Sequence, residues 1–524
     1  MTVVSPKRSP EQFGHPWNRG LDMPTVDAGQ HTRRLFSQRR VAICLSAIIV
    51  IASLLDNTVI HYLDSDMSWL LIVADRMIAG DRLYVDVWEV NPPFSVFLYF
   101  PSAWLANVTG LKAEMLVGLS AYLWTAACLA FTAMIARRIG LFDQPRSIWL
   151  VPVTLALVLL SLPQTFGQRE FFGVLAALPM LVVAAGRDER RRFAPSTLIV
   201  AGALASVTMM VKPHYALAFL FPYLYLAFRQ RSVRLLFAPD VITAGVLVIG
   251  YAIATLILFP EFLRDVVPVV RDVYAWRQWS FGFLLLNSPA LHGLVFFGVY
   301  VFLLTRLRFE GPHAVFALSF AGFYAAFLLM GKGFPYHALP FFVTGGIAVA
   351  LAAIAYCKTE TAGIAMKTAL AVLVSLVVAA AVKTFERNPT ATETIRNLAR
   401  IYQNPSVAVI ASNISIGSPF TRTVGGRWLG SYCSDWLGAY ALERLSWGPD
   451  DATDRLRQYL AIALAQKHEE IVGGQPDIIV VDHFDGRWIE LVLRDNAIKQ
   501  ELKNYETIGQ EGTVEYLRRN VESR

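Results

Sequence analysis

The chain is poor in cysteine: four stand among 524 residues, Cys44, Cys128, Cys357 and Cys433. Their spacing gives neither a disulfide framework nor a metal-ligand set. Charge is scarce too, at 17% against 55% hydrophobic residues, with a mean hydropathy of +0.45. That balance excludes a soluble chain of this length, which needs far more polar surface. No two halves are related and no broken helices pair between them, which argues against a transporter or flippase. The segment Thr423–Leu429 is glycine-rich but lacks the Gly-Lys-Ser/Thr ending of a phosphate loop, so it reads as a surface turn.

Long apolar runs, in contrast, recur through the first 383 residues, each near the roughly 17–25 residues that cross a bilayer. They fall near 41–58, 115–136, 147–163, 170–186, 195–211, 214–228, 240–260, 283–305, 313–330, 338–356 and 367–383. The reading is an α-helical polytopic membrane protein of about eleven spans. Residues 1–40, rich in Pro, Gly and charge, form a disordered cytoplasmic N-terminus. Residues 41–383 form the transmembrane domain, and 384–524 a soluble α/β domain.

The net charge of +7 does not point to nucleic acid. The basic residues sit in short loops: Arg137/Arg138/Arg146, Arg187/Arg190/Arg191/Arg192, Arg229/Arg231/Arg234, Arg306/Arg308 and Lys358/Lys367. The positive-inside rule makes these loops cytoplasmic, provided that Pro92–Gly110, with its prolines, does not cross. The N-terminus is then cytoplasmic. The C-terminal domain and the loops 56–114, 164–169, 212–213 and 331–337 lie outside, as in a multi-pass protein of a bacterial inner membrane.

The first outer loop is acidic. From Asp56 to Glu89 it carries Asp64, Asp66, Asp75, Asp81 and Asp86 besides, against only Arg76 and Arg82. Ionisable groups held at a bilayer boundary are functional candidates. The stretch Ser68–Ile78 has helical apolar spacing and is expected to lie on the membrane surface. Asp64 and Asp66 stand at its start, where an Asp would also serve as a helix cap.

An Asp after the first span, an interfacial helix, and then "GDRLYVDVWEVNPPF" together resemble the first periplasmic loop of the GT-C superfamily. These are membrane glycosyltransferases using polyprenyl-phosphate sugars, among them protein O-mannosyltransferases and lipid A aminoarabinose transferases. The Asn91-Pro92-Pro93 form looks like a branch that includes lipopolysaccharide-core galacturonic acid transferases. The resemblance implies a GT-C-like fold and a first-loop Asp as catalytic base. Asp66, followed shortly by Trp69, matches that base best. Asp64 is second, as base or metal ligand; no His/Cys cluster suggests a fixed metal, and a divalent cation (Mg or Mn) would be held by Asp64 or Asp66. Tyr84, Asp86, Glu89 and Asn91 lie within the matching motif and are expected to bind substrate.

The remaining outer loops bring cations to the same face: Arg169 beside Glu170, Lys212 beside His214, and Lys332 beside Tyr336 and His337. Arg169, Lys212, Lys332 and His337 suit a donor's lipid-linked phosphate, and a carboxylate suits activation of an acceptor hydroxyl. Glu170, His214 and Tyr336 are placed with the substrate-binding residues. The expected partners are a polyprenyl-phosphate sugar, membrane lipid, and an envelope glycan, lipid or protein as acceptor. The rival readings are a transporter or flippase, an O-antigen-type polymerase or ligase for lipid-linked glycans, and a non-catalytic assembly subunit.

In the tail, Ser406–Ser412 and Asp477–Asp482 read as buried strands, and Asp451–Ile471 as a helix with Asp450 or Asp451 as its cap. Thr507–Gly509 and Thr513–Leu517 read as short terminal strands.

Overall fold

The computed structural model describes residues 28–59, 64–160, 165–286, 288–356 and 392–520. Six helices are long and apolar enough to cross a membrane: within α1 (Ala28–Val59), α4 (Ala113–Arg138), α6 (Arg169–Asp188), α9 (Pro239–Leu258), α11 (Gly311–Met330) and α12 (Pro335–Tyr356). Shorter helices are α5 (Leu150–Leu159), α7 (Pro195–Val211), α8 (Leu217–Arg229) and α10 (Ser288–Leu304). These ten helices overlap ten of the expected apolar runs, six of them long and apolar enough to cross; 367–383 lies outside the described residues. Leu247, Ile249, Ile257 and Leu258 of α9 are exposed, a surface that suits hydrocarbon and not water. The chain is a membrane protein.

The bundle is built around α6, whose apolar window is entirely buried between α4, α7, α11 and α12. Its far end is held by a buried pair, not by a solvated loop. Arg187, read from sequence as a loop residue, places Nη2 at 2.6 Å from Asp240 Oδ1 and Nη1 at 2.8 Å from Oδ2, with the Tyr223 hydroxyl beside them. A buried arginine is tolerated because the carboxylate accepts from both arms of its planar fork. Close packing here depends on Gly202: a Cβ at that position would stand 2.2 Å from the Asp240 carbonyl.

The segment Pro92–Gly110 contains α3 (Phe100–Thr109), which ends on Gly110 at φ 73°. A helical turn at Phe94–Phe97 precedes it, and at about 1.5 Å per residue the ten residues of α3 by themselves reach half of a hydrocarbon core. Before it, α2 (Ser65–Ile78) starts where the Asp64 carboxylate accepts from the Met67 amide at 3.0 Å and stops before Gly80 at φ 109°. The expectation for α2 needs correction. It does not lie open on a surface, because every residue from Met67 to Ala74 is buried between α3 and the C-terminal domain. Trp69 meets Trp428 edge-on at 5.9 Å.

The C-terminal domain holds a five-stranded sheet, β1 (Ser406–Ile410), β2 (Arg427–Trp428), β3 (Ile478–Asp482), β4 (Tyr505–Glu511) and β5 (Val514–Arg519), in the order β2-β1-β3-β5-β4. The first three are parallel, and β5 runs antiparallel to β3 and β4. Helix α13 (Ile414–Thr423) packs towards α2, and α14 (Trp436–Ser446) and α15 (Thr453–His468) belong to the opposite face. Both central strands are buried throughout, as continuous apolar runs require when helices cover both faces. The expected helix and four expected strands are present. Asp450 accepts from the Ala452 amide at 2.8 Å, but the cap position is Ala452, two residues further on. Thr423–Leu429 is not a free surface turn. It contains β2, whose Trp428 is buried with its indole bonded to the Tyr432 carbonyl at 3.1 Å.

This domain is pinned to the bundle by charge. Arg422 reaches Glu114 of α4 at 2.6 Å and also Asp75 of α2. Arg76 of α2 donates to the Gly430 carbonyl at 2.5 Å, and the Trp88 amide to Ser431 at 2.8 Å.

Candidate active site

Between the bundle and the α/β domain lies a cleft of about 1510 Å³. Its floor comes from segments far apart in sequence: Asp64 and Asp66 at the start of α2, Asn91, Arg169 at the start of α6, and Lys212 after α7. The 331–337 loop adds Lys332, Tyr336 and His337. Gly331 and Gly333 stand at φ 65° and 67°, a conformation that glycine adopts without strain, and this turns Lys332 towards the cleft lining.

The charges are paired across elements. Arg169 Nη2 lies 2.9 Å from Asp66 Oδ2, with the arginine buried and the carboxylate 17% exposed to the cleft. Lys212 Nζ lies 2.5 Å from Glu170 Oε1, both buried, and His337 Nε2 is 3.8 Å from the same oxygen. Glu170 sits in the first turn of α6, where the helix dipole favours an anion. Lys332 differs. Its ammonium donates to the carbonyls of Tyr274 at 2.5 Å and Arg277 at 2.8 Å, and lies 4.0 Å from the Tyr274 ring centroid. Among the described residues no carboxylate is within ion-pair distance of it. Burial and the nearby Arg277 push its pKa down to about 8.

Asp64 is buried, and its pKa is pushed up to about 7 by desolvation and by the neighbouring Asp66 carboxylate. Its hydrogen bond from the Met67 amide works in the opposite direction. Asp64 is thus both the cap of α2 and a member of the cleft floor. Among the described residues no group of three or more His, Cys, Asp or Glu is arranged to hold a metal ion. Asp64 and Asp66 would offer a divalent cation two carboxylates, one already engaged by Arg169. That donor set does not make a cation site by itself.

Five residues grouped with the site lie off its lining. Tyr84 is buried, donates to the Asn91 carbonyl at 2.6 Å and packs on Phe259 and Phe262. Asp86 folds back on its own loop and accepts from the Arg82 amide at 2.8 Å. Glu89 is buried beneath the floor. It accepts from the Trp69 indole at 2.8 Å and the Asn91 amide at 2.9 Å, and so orients Asn91, which does line the cleft. Glu170 and His214 lie below the surface, Glu170 under Lys212 and His214 against Tyr215. The matching motif therefore builds the wall behind the cleft more than the cleft itself.

The opposite wall was not anticipated. It is formed by Tyr274 and Arg277 from the bundle and by Ser412, Asn413, Phe484 and Arg487 from the α/β domain. Strand ends at Ile410 and Asp482 were legible, but not that both point at the cleft.

No protein-family model and no curated protein sequence matches the chain. Among solved structures, ArnT from Cupriavidus metallidurans bound to undecaprenyl phosphate is similar over 90% of this chain and 97% of that one, with a TM-score of 0.53 and 13% identity. The chain has the GT-C fold. An Archaeoglobus fulgidus oligosaccharyltransferase, in complex with Zn and sulfate, overlaps 88% of this chain and 71% of its own at a TM-score of 0.44 and 11% identity. Here the helical bundle carries the α/β domain, and the cleft lies between the two.

Proposed function

We propose that the protein is a glycosyltransferase of a bacterial inner membrane, moving a sugar from a polyprenyl-phosphate donor to an acceptor hydroxyl on the periplasmic face. One observation carries this: on a GT-C fold, a carboxylate and three cations from four separate segments meet in one cleft. ArnT, of the same fold, was crystallised with undecaprenyl phosphate, which supports the donor class.

The chemistry follows from the residues. Lys332 offers a positive charge that no carboxylate neutralises, so it is the first contact for the donor phosphate. Arg169 is shared: phosphate reaching its guanidinium would compete with Asp66 and release that carboxylate. Asp66 then takes the proton of the acceptor hydroxyl as its oxygen forms a bond to the anomeric carbon. The bond from that carbon to the phosphate oxygen breaks, and its electron pair leaves on polyprenyl phosphate. The cations stabilise that leaving charge where it develops. Asp64 stands second as the base, its pKa pushed up to about 7 by burial and by the Asp66 carboxylate. No step is routed through a metal.

The test compares envelope glycans of a deletion strain and its parent by mass spectrometry, with transfer assayed in parallel by purified protein and polyprenyl-phosphate sugars. Loss of one sugar residue, restored by the protein, is expected. Unchanged glycans together with no transfer from any donor overturn the reading.

A further inference from the structure

The parallel part of the sheet points its carboxyl edge into the cleft. From β1 the chain passes through α13 to β2 on one side; it then returns through α14 and α15 to β3 on the other side of β1. The connections around β1 thus diverge, which makes the gap between β1 and β3 a topological switch point. In open α/β sheets ligands bind in the crevice outside the carboxyl ends of the strands at such a point. Here the residues after β1 (Ser412, Asn413, Ser415) and those at and after the end of β3 (Asp482, Phe484, Arg487) all line the cleft. The crevice therefore opens into the same cavity as Asp66, from the opposite side.

Its chemistry is not that of the floor. Asp482 Oδ1 fixes the β3 loop, accepting from the Phe484 amide at 3.2 Å and from Thr513 Oγ1 at 2.7 Å. Phe484 then stands 81% exposed, whereas Trp436 and Trp488, which also line the cleft, are almost fully buried. The Asn413 side-chain oxygen Oδ1 accepts from the Ser415 amide at 3.0 Å, which leaves the side-chain N–H groups as donors. Around them are a serine hydroxyl, a guanidinium and the carboxylates of Glu443 and Glu490. Carboxylates outnumber the guanidinium groups on this wall, so it does not select a phosphate. It is too polar for an acyl chain, and the sheet edge a peptide strand would extend is not the edge that faces the cleft. A bare aromatic face flanked by hydroxyl, amide and carboxylate groups suits a pyranose: its C–H face lies on the ring while its hydroxyls pair at the rim. At about 1510 Å³ the cleft also exceeds the roughly 300–1,000 Å³ of a single small-molecule site.

We infer that the loops following β1 and β3 form a saccharide-binding site, and that the acceptor is a glycan held there facing Asp66. Naming the saccharide an acceptor rests on the transfer reading above; the site does not.

The full-length protein in nanodiscs is probed on an array of bacterial envelope oligosaccharides, and the best-bound one is then titrated as the free sugar. Phe484→Ala and Arg487→Ala, both on an exposed loop, should weaken that binding about tenfold. Phe484→Trp should retain it, and all variants should bind polyprenyl phosphate as the wild type does. Saccharide binding that is lost in these variants, in a protein that transfers no sugar, supports the site and sinks only the transfer reading. No saccharide bound, or equal binding by all variants, overturns the inference. So does transfer to a peptide or a sugar-free lipid that Phe484→Ala leaves unchanged, although that outcome preserves the transferase.

Discussion

Asp66 and Arg169, 103 positions apart in the chain, meet at 2.9 Å on the floor of the cleft. The carboxylate begins α2, outside the spans, and the guanidinium begins the most deeply buried helix of the bundle. Their pairing joins the residue proposed to take a proton to a residue proposed to hold phosphate. Activity and donor occupancy should therefore be linked through this contact.

Asp66→Asn should lower turnover roughly 10²–10⁴-fold, the usual loss on removing a general base. Asn keeps the size and local bonding of the side chain, so the size-exclusion profile should stay that of the wild type. Turnover by purified protein in detergent decides it. Near-normal transfer by the folded variant would move the base to Asp64.

Lys332 should make donor binding pH-dependent. With its pKa at about 8, the ammonium is charged below that value and neutral above it. Apparent donor affinity should therefore fall as pH rises through about 8, and Lys332→Arg, which stays charged, should flatten the dependence. Lys332→Ala should weaken donor binding by on the order of 1.5–3 kcal/mol at neutral pH. A KM for donor that tracks the same pH curve in all three proteins would remove Lys332 from the phosphate site.

Asp64 should set a stability trend of opposite sense to an ordinary ion pair. Its folded pKa, about 7, lies above the ordinary carboxyl value of 3.8, so the folded state holds a proton that the unfolded chain releases. Stability from this group is fully present below about 4 and is lost as pH rises towards 7. Asp64→Asn retains the cap, because Asn and Asp rank alike there, and removes the titration. The Tm of the variant relative to the wild type should rise between pH 4 and pH 7; a constant difference would show that the carboxyl does not titrate there.

The topology read from basic loops gives a cytoplasmic 143 and a periplasmic 400. Reporter fusions at these positions should show cytoplasmic signal at the first and periplasmic signal at the second. The reverse at either would place the cleft on the other side of the membrane.

The sequence by itself determined the apolar helices of the described bundle and the strands of the tail. Runs of apolar residues long enough to cross hydrocarbon, or alternately flanked by polar turns, have few other ways to satisfy their backbone hydrogen bonds. It also singled out Asp64, Asp66, Arg169, Lys212 and Lys332, because charge beside a bilayer is costly enough to need a reason. Pairing was another matter. That Asp66 faces Arg169, that Lys212 faces Glu170 and that Lys332 faces carbonyls depends on how α2, α6, α7 and the 331–337 loop pack together. No local periodicity encodes such distances. The same holds for α2, whose amphipathic pattern fits a membrane surface as well as it fits the underside of a soluble domain. Only the docking of Trp428 on Trp69 and of Arg422 on Asp75 and Glu114 decided between them. The wall opposite Asp66 was settled last of all. Phe484 enters the cleft because β3 lies beside β1 in the sheet, and strand order is a property of the assembled fold.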